Sequence, residues 1–175
     1  MQQNHPLHLF EYCPCCGSSQ FRINNFKSKK CDNCEFVYYF NISSATAAFI
    51  TDKTGKLLVA KRASEPAKGT FDLPGGFVDP CETAEEAIVR EVKEETGLTV
   101  DNLTYRFSLP NIYVYSGFDI HTLDMFFEAK VSEVSELKAA DDVSELIWME
   151  REDIEPEQFG LTSIKQAVKK WLELS

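Results

Sequence analysis

Six glutamates and only two cations, Arg90 and Lys93, fall between Glu82 and Glu95. Wound as a helix at roughly 100° per residue, this stretch turns Glu91, Glu94 and Glu95 into one sector. Ala84, Ala87 and Ile88 share that sector, and Lys93 points the opposite way. The acids therefore lie on the extension of the face that should pack on a sheet. Like charges at i,i+3 and i,i+4 oppose a helix by about 0.2–0.5 kcal/mol per pair even in water, and by more when partly buried. A hard divalent cation taking oxygen ligands offsets that repulsion, and carboxylates suit Mg²⁺ or Mn²⁺ better than zinc. The competing reading, a solvated face held by Glu–Lys pairs, leaves unexplained why acidic and apolar residues share a side.

A second constellation lies near the start. Cys13, Cys16, Cys31 and Cys34 give C-x2-C, a 14-residue gap and C-x2-C. That spacing closes two turns around one tetrahedral Zn²⁺. Gly17 follows the first pair, where a permissive backbone lets amides turn toward sulfur, while Glu35 stands at the matching place after the second. Cys15 competes with Cys16 as a ligand. A pair of disulfides is the other reading, disfavoured in a reducing compartment. Residues 1–40 are thus expected to form a small zinc ribbon. Phe36, Tyr38, Tyr39 and Phe40 are expected to pack it onto the next domain, giving folding and dimer support. His5 and His8 are assigned to a mobile terminus rather than to a second metal site.

The elements that must position the glutamates can be read from local signals. Thr83 can N-cap the helix, with Glu86 completing a capping box, and Gly97 supplies the left-handed residue that ends it. Ser44–Ile50 and Lys56–Lys61 read as strands around an Asp52–Gly55 turn, and the small run Ala45-Thr46-Ala47-Ala48 can lie under another element. Ala63–Thr70 reads as a polar loop. The glycines of Leu73-Pro74-Gly75-Gly76-Phe77 suit a backbone that closely approaches a metal or phosphate. Further strands are expected near Thr99–Arg106, Ile112–Tyr115, Thr122–Val131 and Glu145–Met149. A last helix from Thr162 or Ser163 carries the apolar stripe Ile164, Ala167, Val168, Trp171 and Leu172.

Gly76, five residues, Glu82, seven residues and then Arg90-Glu91-Val92-Lys93-Glu94-Glu95-Thr96-Gly97-Leu98 resembles the Nudix box of Nudix hydrolases at every fixed position. The resemblance implies an α+β fold, the Nudix α/β/α sandwich with a mixed sheet, over residues 41–175. It implies that Glu91 and Glu95 are the main Mg²⁺ or Mn²⁺ ligands, joined by Glu94 and by the carbonyl of Gly75. Arg90 and Glu82 would form the supporting salt bridge. The family commonly adds a carboxylate from a later loop, which nominates Asp142, with Asp141 and Glu128 as alternates.

A ribbon ahead of such a domain resembles NADH pyrophosphatases, although Ser108–Ser116 keeps only the serine and first proline of their characteristic run. The segments around Glu65–Gly69 and Leu73–Phe77 look like ADP-ribose pyrophosphatase-type enzymes. The expected activity is hydrolysis of a nucleoside diphosphate linked to another group, such as ADP-ribose, NADH or FAD, releasing AMP. A non-hydrolysing ADP-ribose or nucleotide sensor is the alternative. Tyr113, Tyr115 or Phe71 could stack an adenine, each with a core aromatic as its plainer reading. Arg62 could contact phosphate, with a surface salt bridge as its plainer reading. His121 and Cys81 are read as structural.

Composition bounds the rest. The 175 residues are 43% hydrophobic, enough for a packed core, with a formal charge of −10. Four zinc-bound thiolates would take this to about −12. Such acidity disfavours nucleic acid as a partner, and the basic cluster of Lys27, Lys29 and Lys30 is small. A small nucleotide substrate remains compatible, as does a homodimer. No apolar run is long enough for a membrane span, and Met1–Phe10 does not read as a signal peptide. The chain is therefore read as cytoplasmic.

Overall fold

Two apolar runs set the layers. Ala47-Ala48-Phe49-Ile50 and Leu57-Leu58-Val59-Ala60 are buried at every position, so both faces of these strands are covered. Successive side chains of a strand point to opposite faces, and the core divides accordingly. Ala47, Phe49, Leu57, Val59 and Phe126 belong to one cluster, and Ala48, Ile50, Leu58 and Phe127 to another. The computed structural model describes residues 5–131, 137, 139 and 143–174. The chain divides into two units, Met1–Ile42 and Ser43–Ser175.

The first unit holds β1 (Phe21–Asn25), β2 (Ser28–Cys31) and β3 (Val37–Tyr39) in one antiparallel sheet. Cys13, Phe21 and Cys31 form its small core, with Tyr38 against it. Lys29 is buried, donates to the Phe10 carbonyl and lies over the Phe21 ring, and Lys30 pairs with Glu35 at 3.7 Å. Two of the three clustered lysines thus serve the unit's own packing. His5 is not loose: it bonds the Asn25 carbonyl at 2.8 Å and accepts from the Leu7 amide. A buried Leu7 anchors this segment, which replaces the expected mobile terminus.

The second unit contains β4 (Ser43–Thr51), β5 (Leu57–Arg62), β6 (Phe71–Asp72), α1 (Ala84–Thr96), β7 (Asn102–Tyr115), β8 (Phe118–Lys130), β9 (Val143–Met149) and α2 (Thr162–Leu174). The sheet order is β6-β5-β4-β8-β7, with β9 paired to β5. Only β4 and β8 run parallel, so the sheet is mixed. Ile88 and Val92 of α1 cover one face. Ile164, Ala167, Val168 and Trp171 of α2 cover the other, where Trp171 stacks on Phe49 at 5.3 Å. Helix, mixed sheet and helix form the expected sandwich.

One expectation fails. Thr99–Arg106 and Ile112–Tyr115 are not separate strands but parts of the single 14-residue β7. Pro110 lies within this strand: proline is tolerated on an edge strand, and β7 ends the sheet order. A register shift between Tyr105 and Phe107 absorbs one residue, as a bulge does. Ser116 and Gly117, at φ 51° and 75°, make the tight turn into β8, the mirror-image geometry that suits a hairpin's twist.

Candidate active site

The acidic helix forms as its ends dictate. The Thr83 hydroxyl accepts from the Glu86 amide, the Glu86 carboxylate accepts from the Thr83 amide, and Gly97 closes the far end at φ 76°. Glu95 is buried along with Ala87, Ile88 and Val92. An acid therefore occupies the packing face. Just upstream, residues 74–78 run along β4: the amides of Thr46, Ala48 and Val78 donate to the carbonyls of Gly76, Pro74 and Ser44 at 2.8–3.0 Å. This seats the glycines between β4 and α1.

Each glycine answers a different neighbour. Gly75 has φ 152°, and a Cβ there would strike the Thr46 carbonyl oxygen and come within 2.7 Å of Ala47 Cα. A Cβ on Gly76 would instead enter the Glu91 carboxylate. The Gly75 amide donates to Glu95 Oε2 at 2.9 Å. The glycines thus stand close to β4 and to two carboxylates.

Arg90 organises the charge. Its Nε and Nη2 grip both oxygens of Glu82 at 2.9 Å, Nη1 donates to Glu91 at 2.8 Å and Glu94 at 3.1 Å, and Nη2 also reaches the Phe77 carbonyl at 3.0 Å. The Arg90 guanidinium, followed by the Asp79 amide, holds the Glu82 carboxyl below its usual range. Glu82, and then Glu91, push the Arg90 value above its ordinary one, so it stays charged.

Glu91, Glu95, Gly75 and Gly76 line a cavity of about 670 Å³, floored by Ala45 and Ala47 and extending to Asn111, Thr122, Asp124 and Ile164. Arg62 and Asp72 also line it. They form an ion pair, and Arg62 Nε donates to the Pro66 carbonyl at 2.7 Å. Burial pushes the Asp72 carboxyl up against the pull of Arg62, and nearby Asp124 adds to the rise. The plainer reading of Arg62, a salt bridge, is therefore realised, but inside the cavity wall.

Among the other nominated residues, Tyr115 lines the cavity and is exposed. Phe71 instead meets Phe159 edge-on at 6.1 Å, as a core aromatic. Glu94 is half exposed and pairs with Arg90. Glu128 pairs with Arg106 at 3.4 Å. Tyr113 contributes its backbone to β7. Asp141 and Asp142 lie outside the described residues. Sequence reasoning passed over Asn111 and Asp124, both buried in the cavity wall. Polar residues at alternate positions of apolar strands, as in Thr122-Leu123-Asp124-Met125-Phe126, were the signal available.

In the first unit the four cysteine sulfurs lie within 4.8 Å of one another. Cys13–Cys34 and Cys16–Cys31 are each 3.7 Å apart. A disulfide needs about 2.05 Å, whereas sulfurs about 2.3 Å from a tetrahedral centre lie about 3.8 Å apart. The cluster could hold a metal ion. The two turns match: the amides of Gly17 and Glu35 donate to the Cys13 and Cys31 carbonyls, at φ 73° and 61°. Glu35 thus adopts the glycine-like conformation despite its side chain. Cys15 is exposed and outside the cluster. The Ser18 amide, then the Asn33 amide, pull the Cys16 thiol down to about 6.

These features agree with comparisons to known proteins. The NUDIX domain family matches residues 42–172, and the chain belongs to that family: it is a Nudix hydrolase. It is 34% identical to the ADP-ribose pyrophosphatase of Methanocaldococcus jannaschii, over 91% of this chain and 96% of that one. It is 31% identical to the NAD-capped RNA hydrolase NudC of Vibrio parahaemolyticus over 63% of this chain, but spans only 42% of that protein. The crystal structure of a NUDIX hydrolase from Nitrosomonas europaea shares the fold, with TM-score 0.73 at 22% identity over 93% of this chain and 90% of that one.

The two glycines should separate on substitution. Gly75→Ala meets backbone on β4 and should lower stability by about 3 kcal/mol in denaturant titration. Gly76→Ala meets a side-chain carboxylate that can turn aside, so its cost in the same titration should stay at about 1 kcal/mol.

The Glu82 shift gives a pH test. A depressed carboxyl contributes stability above the unfolded value of about 4.3 and loses it as pH falls through the lower folded value. Glu82→Gln should be less stable at neutral pH and lose less stability on acidification, read by denaturant midpoints from pH 7 to 3.

Proposed function

We propose that the protein is a divalent-metal-dependent pyrophosphohydrolase acting on ADP-ribose or a related dinucleotide such as NADH or FAD, with AMP as one product. The supporting observation is the convergence of Glu91 and Glu95 with the Gly75–Gly76 turn on one cavity wall. The donors there are oxygens, which suit Mg²⁺ or Mn²⁺. Glu91 and Glu95 would hold the ion, with Glu94 and the Gly75 carbonyl as further ligands. When bound, such an ion neutralises phosphate oxygens and lowers the pKa of a water.

The chain's own residues do the remaining work. Arg90 fixes the Glu91 carboxylate through Nη1 and anchors the loop carrying Phe77 and Glu82, so the ligands stand in place before substrate enters. The Gly75 amide does the same for Glu95. Asp142 is nominated as the base that takes a proton from the attacking water, with Asp141 and Glu128 as alternates. Tyr115 offers an exposed ring at the cavity for stacking. The identity with the M. jannaschii ADP-ribose pyrophosphatase across nearly its whole length supports the substrate class.

A hydrolysis panel of ADP-ribose, NADH, NAD, FAD and nucleoside triphosphates with Mg²⁺ or Mn²⁺ tests this reading. ADP-ribose or a dinucleotide should be turned over fastest, and Glu95→Gln should slow that reaction about a thousandfold. Full activity in Glu95→Gln, or no turnover of any phosphoanhydride, would sink it.

For the first unit the proposal is one structural Zn²⁺ held by Cys13, Cys16, Cys31 and Cys34. Metal analysis should return about one zinc per chain, lost in Cys31→Ser and retained in Cys15→Ser. Disulfides found by mass spectrometry would overturn it.

A further inference from the structure

Asn111 is nine-tenths buried, lines the cavity, and its amide makes no hydrogen bond among the described residues. That amide is not sealed from solvent, so a ligand in the cavity can take the place of water as its partner. Across the β7–β8 ladder Asn111 stands opposite Thr122, whose hydroxyl donates to Asp124 Oδ1, while Ser163 of α2 donates to Asp124 Oδ2. Asp124 is likewise buried in the cavity wall. An ionised carboxylate has about four acceptor positions, so two donors leave it capacity for more.

This pair lies away from the metal helix. From the glycine segment the order runs through β4 and β8 to β7. At about 4.8 Å per strand spacing, Asp124 stands two spacings away and Asn111 three, or roughly 10 and 14 Å. A phosphate beside Asp124 would be repelled, so the diphosphate belongs with Glu91 and Glu95, and a neutral end of the substrate belongs here. Apolar Ile120, Leu161 and Ile164 line the same cavity, as a planar ring requires.

Resting on the hydrolytic reading for its substrate class, we propose that Asn111 and Asp124 select a ring bearing an N–H donor beside an acceptor. Asparagine presents a donor and an acceptor side by side and pairs with the N6/N7 edge of adenine in this way. The carboxamide of nicotinamide offers the same pattern. Replacing the donor by oxygen, as in hypoxanthine or nicotinic acid, sets acceptor against acceptor at Asn111 and against negative charge at Asp124.

Equilibrium binding to the full chain tests this without turnover. AMP is compared with IMP, and nicotinamide mononucleotide with nicotinic acid mononucleotide, by calorimetry. The donor-bearing member of at least one pair should bind tenfold or more tightly, and the pair that separates identifies which ring is read. In Asn111→Leu the ratio should fall within about threefold while the weaker ligand's affinity holds. Asn111→Ala serves if the leucine variant does not fold, which thermal melts would reveal. Equal binding within both pairs, no binding of either pair, or discrimination that survives loss of the amide overturns the proposal. Discrimination in a protein that cleaves no phosphoanhydride would sink the hydrolytic reading alone, and cleavage without discrimination would sink only this one.

Discussion

A single guanidinium decides how so much negative charge can be folded onto one helix face. Arg90 has five N–H groups, and its five hydrogen bonds give each an acceptor: two on Glu82, one each on Glu91 and Glu94, and the Phe77 carbonyl. No lysine could replace it, because an ammonium offers three donors from a point and no planar fork. Three of these bonds tie loop to helix and two stay within the helix, so the glycine turn and the acidic face are positioned by one side chain. Charge balance and geometry are here the same problem with the same solution.

Legibility in the sequence followed the range of the interactions involved. The capping box, Gly97 and the acidic sector are set within one or two turns of helix, and the sequence reading of them matches the structure. The two-layer core followed from the family resemblance, and the structure bears it out. Harder to read was anything that depends on sheet order. The segments 99–106 and 112–115 read as two strands until β7 proved to be one continuous edge strand. Phe71 looked available for stacking until Phe159, 88 positions away, met its ring. The close approach of β4 to Gly75 was out of reach for the same reason.

Asn111 and Asp124 escaped notice for the same reason. Neither belongs to a local motif, and each is meaningful only once β7, β8 and the first turn of α2 converge. Ser163 donates to Asp124 across 39 positions of sequence, and no window of reasonable length contains both. The cysteine cluster is the opposite case. Its ligand spacing is a local device used twice, and Glu35 shows that the turn geometry persists even where glycine is absent.

The β7–β8 hairpin has a consequence for how this fold can vary. Residues 102–130 form one continuous hairpin with its own tight turn, and among the described residues it pairs with the rest of the sheet through β4. The acidic cavity wall, by contrast, is assembled from a strand, a glycine segment and a helix that depend on one another atom by atom. Phe127 and Ala129 of the hairpin share a core with Ile88 and Val92 of that helix, so variation that leaves the helix in place is confined to cavity-facing residues such as Asn111 and Asp124. Such an arrangement behaves like a fixed engine with an exchangeable keyhole, cut into a single stretch of peptide.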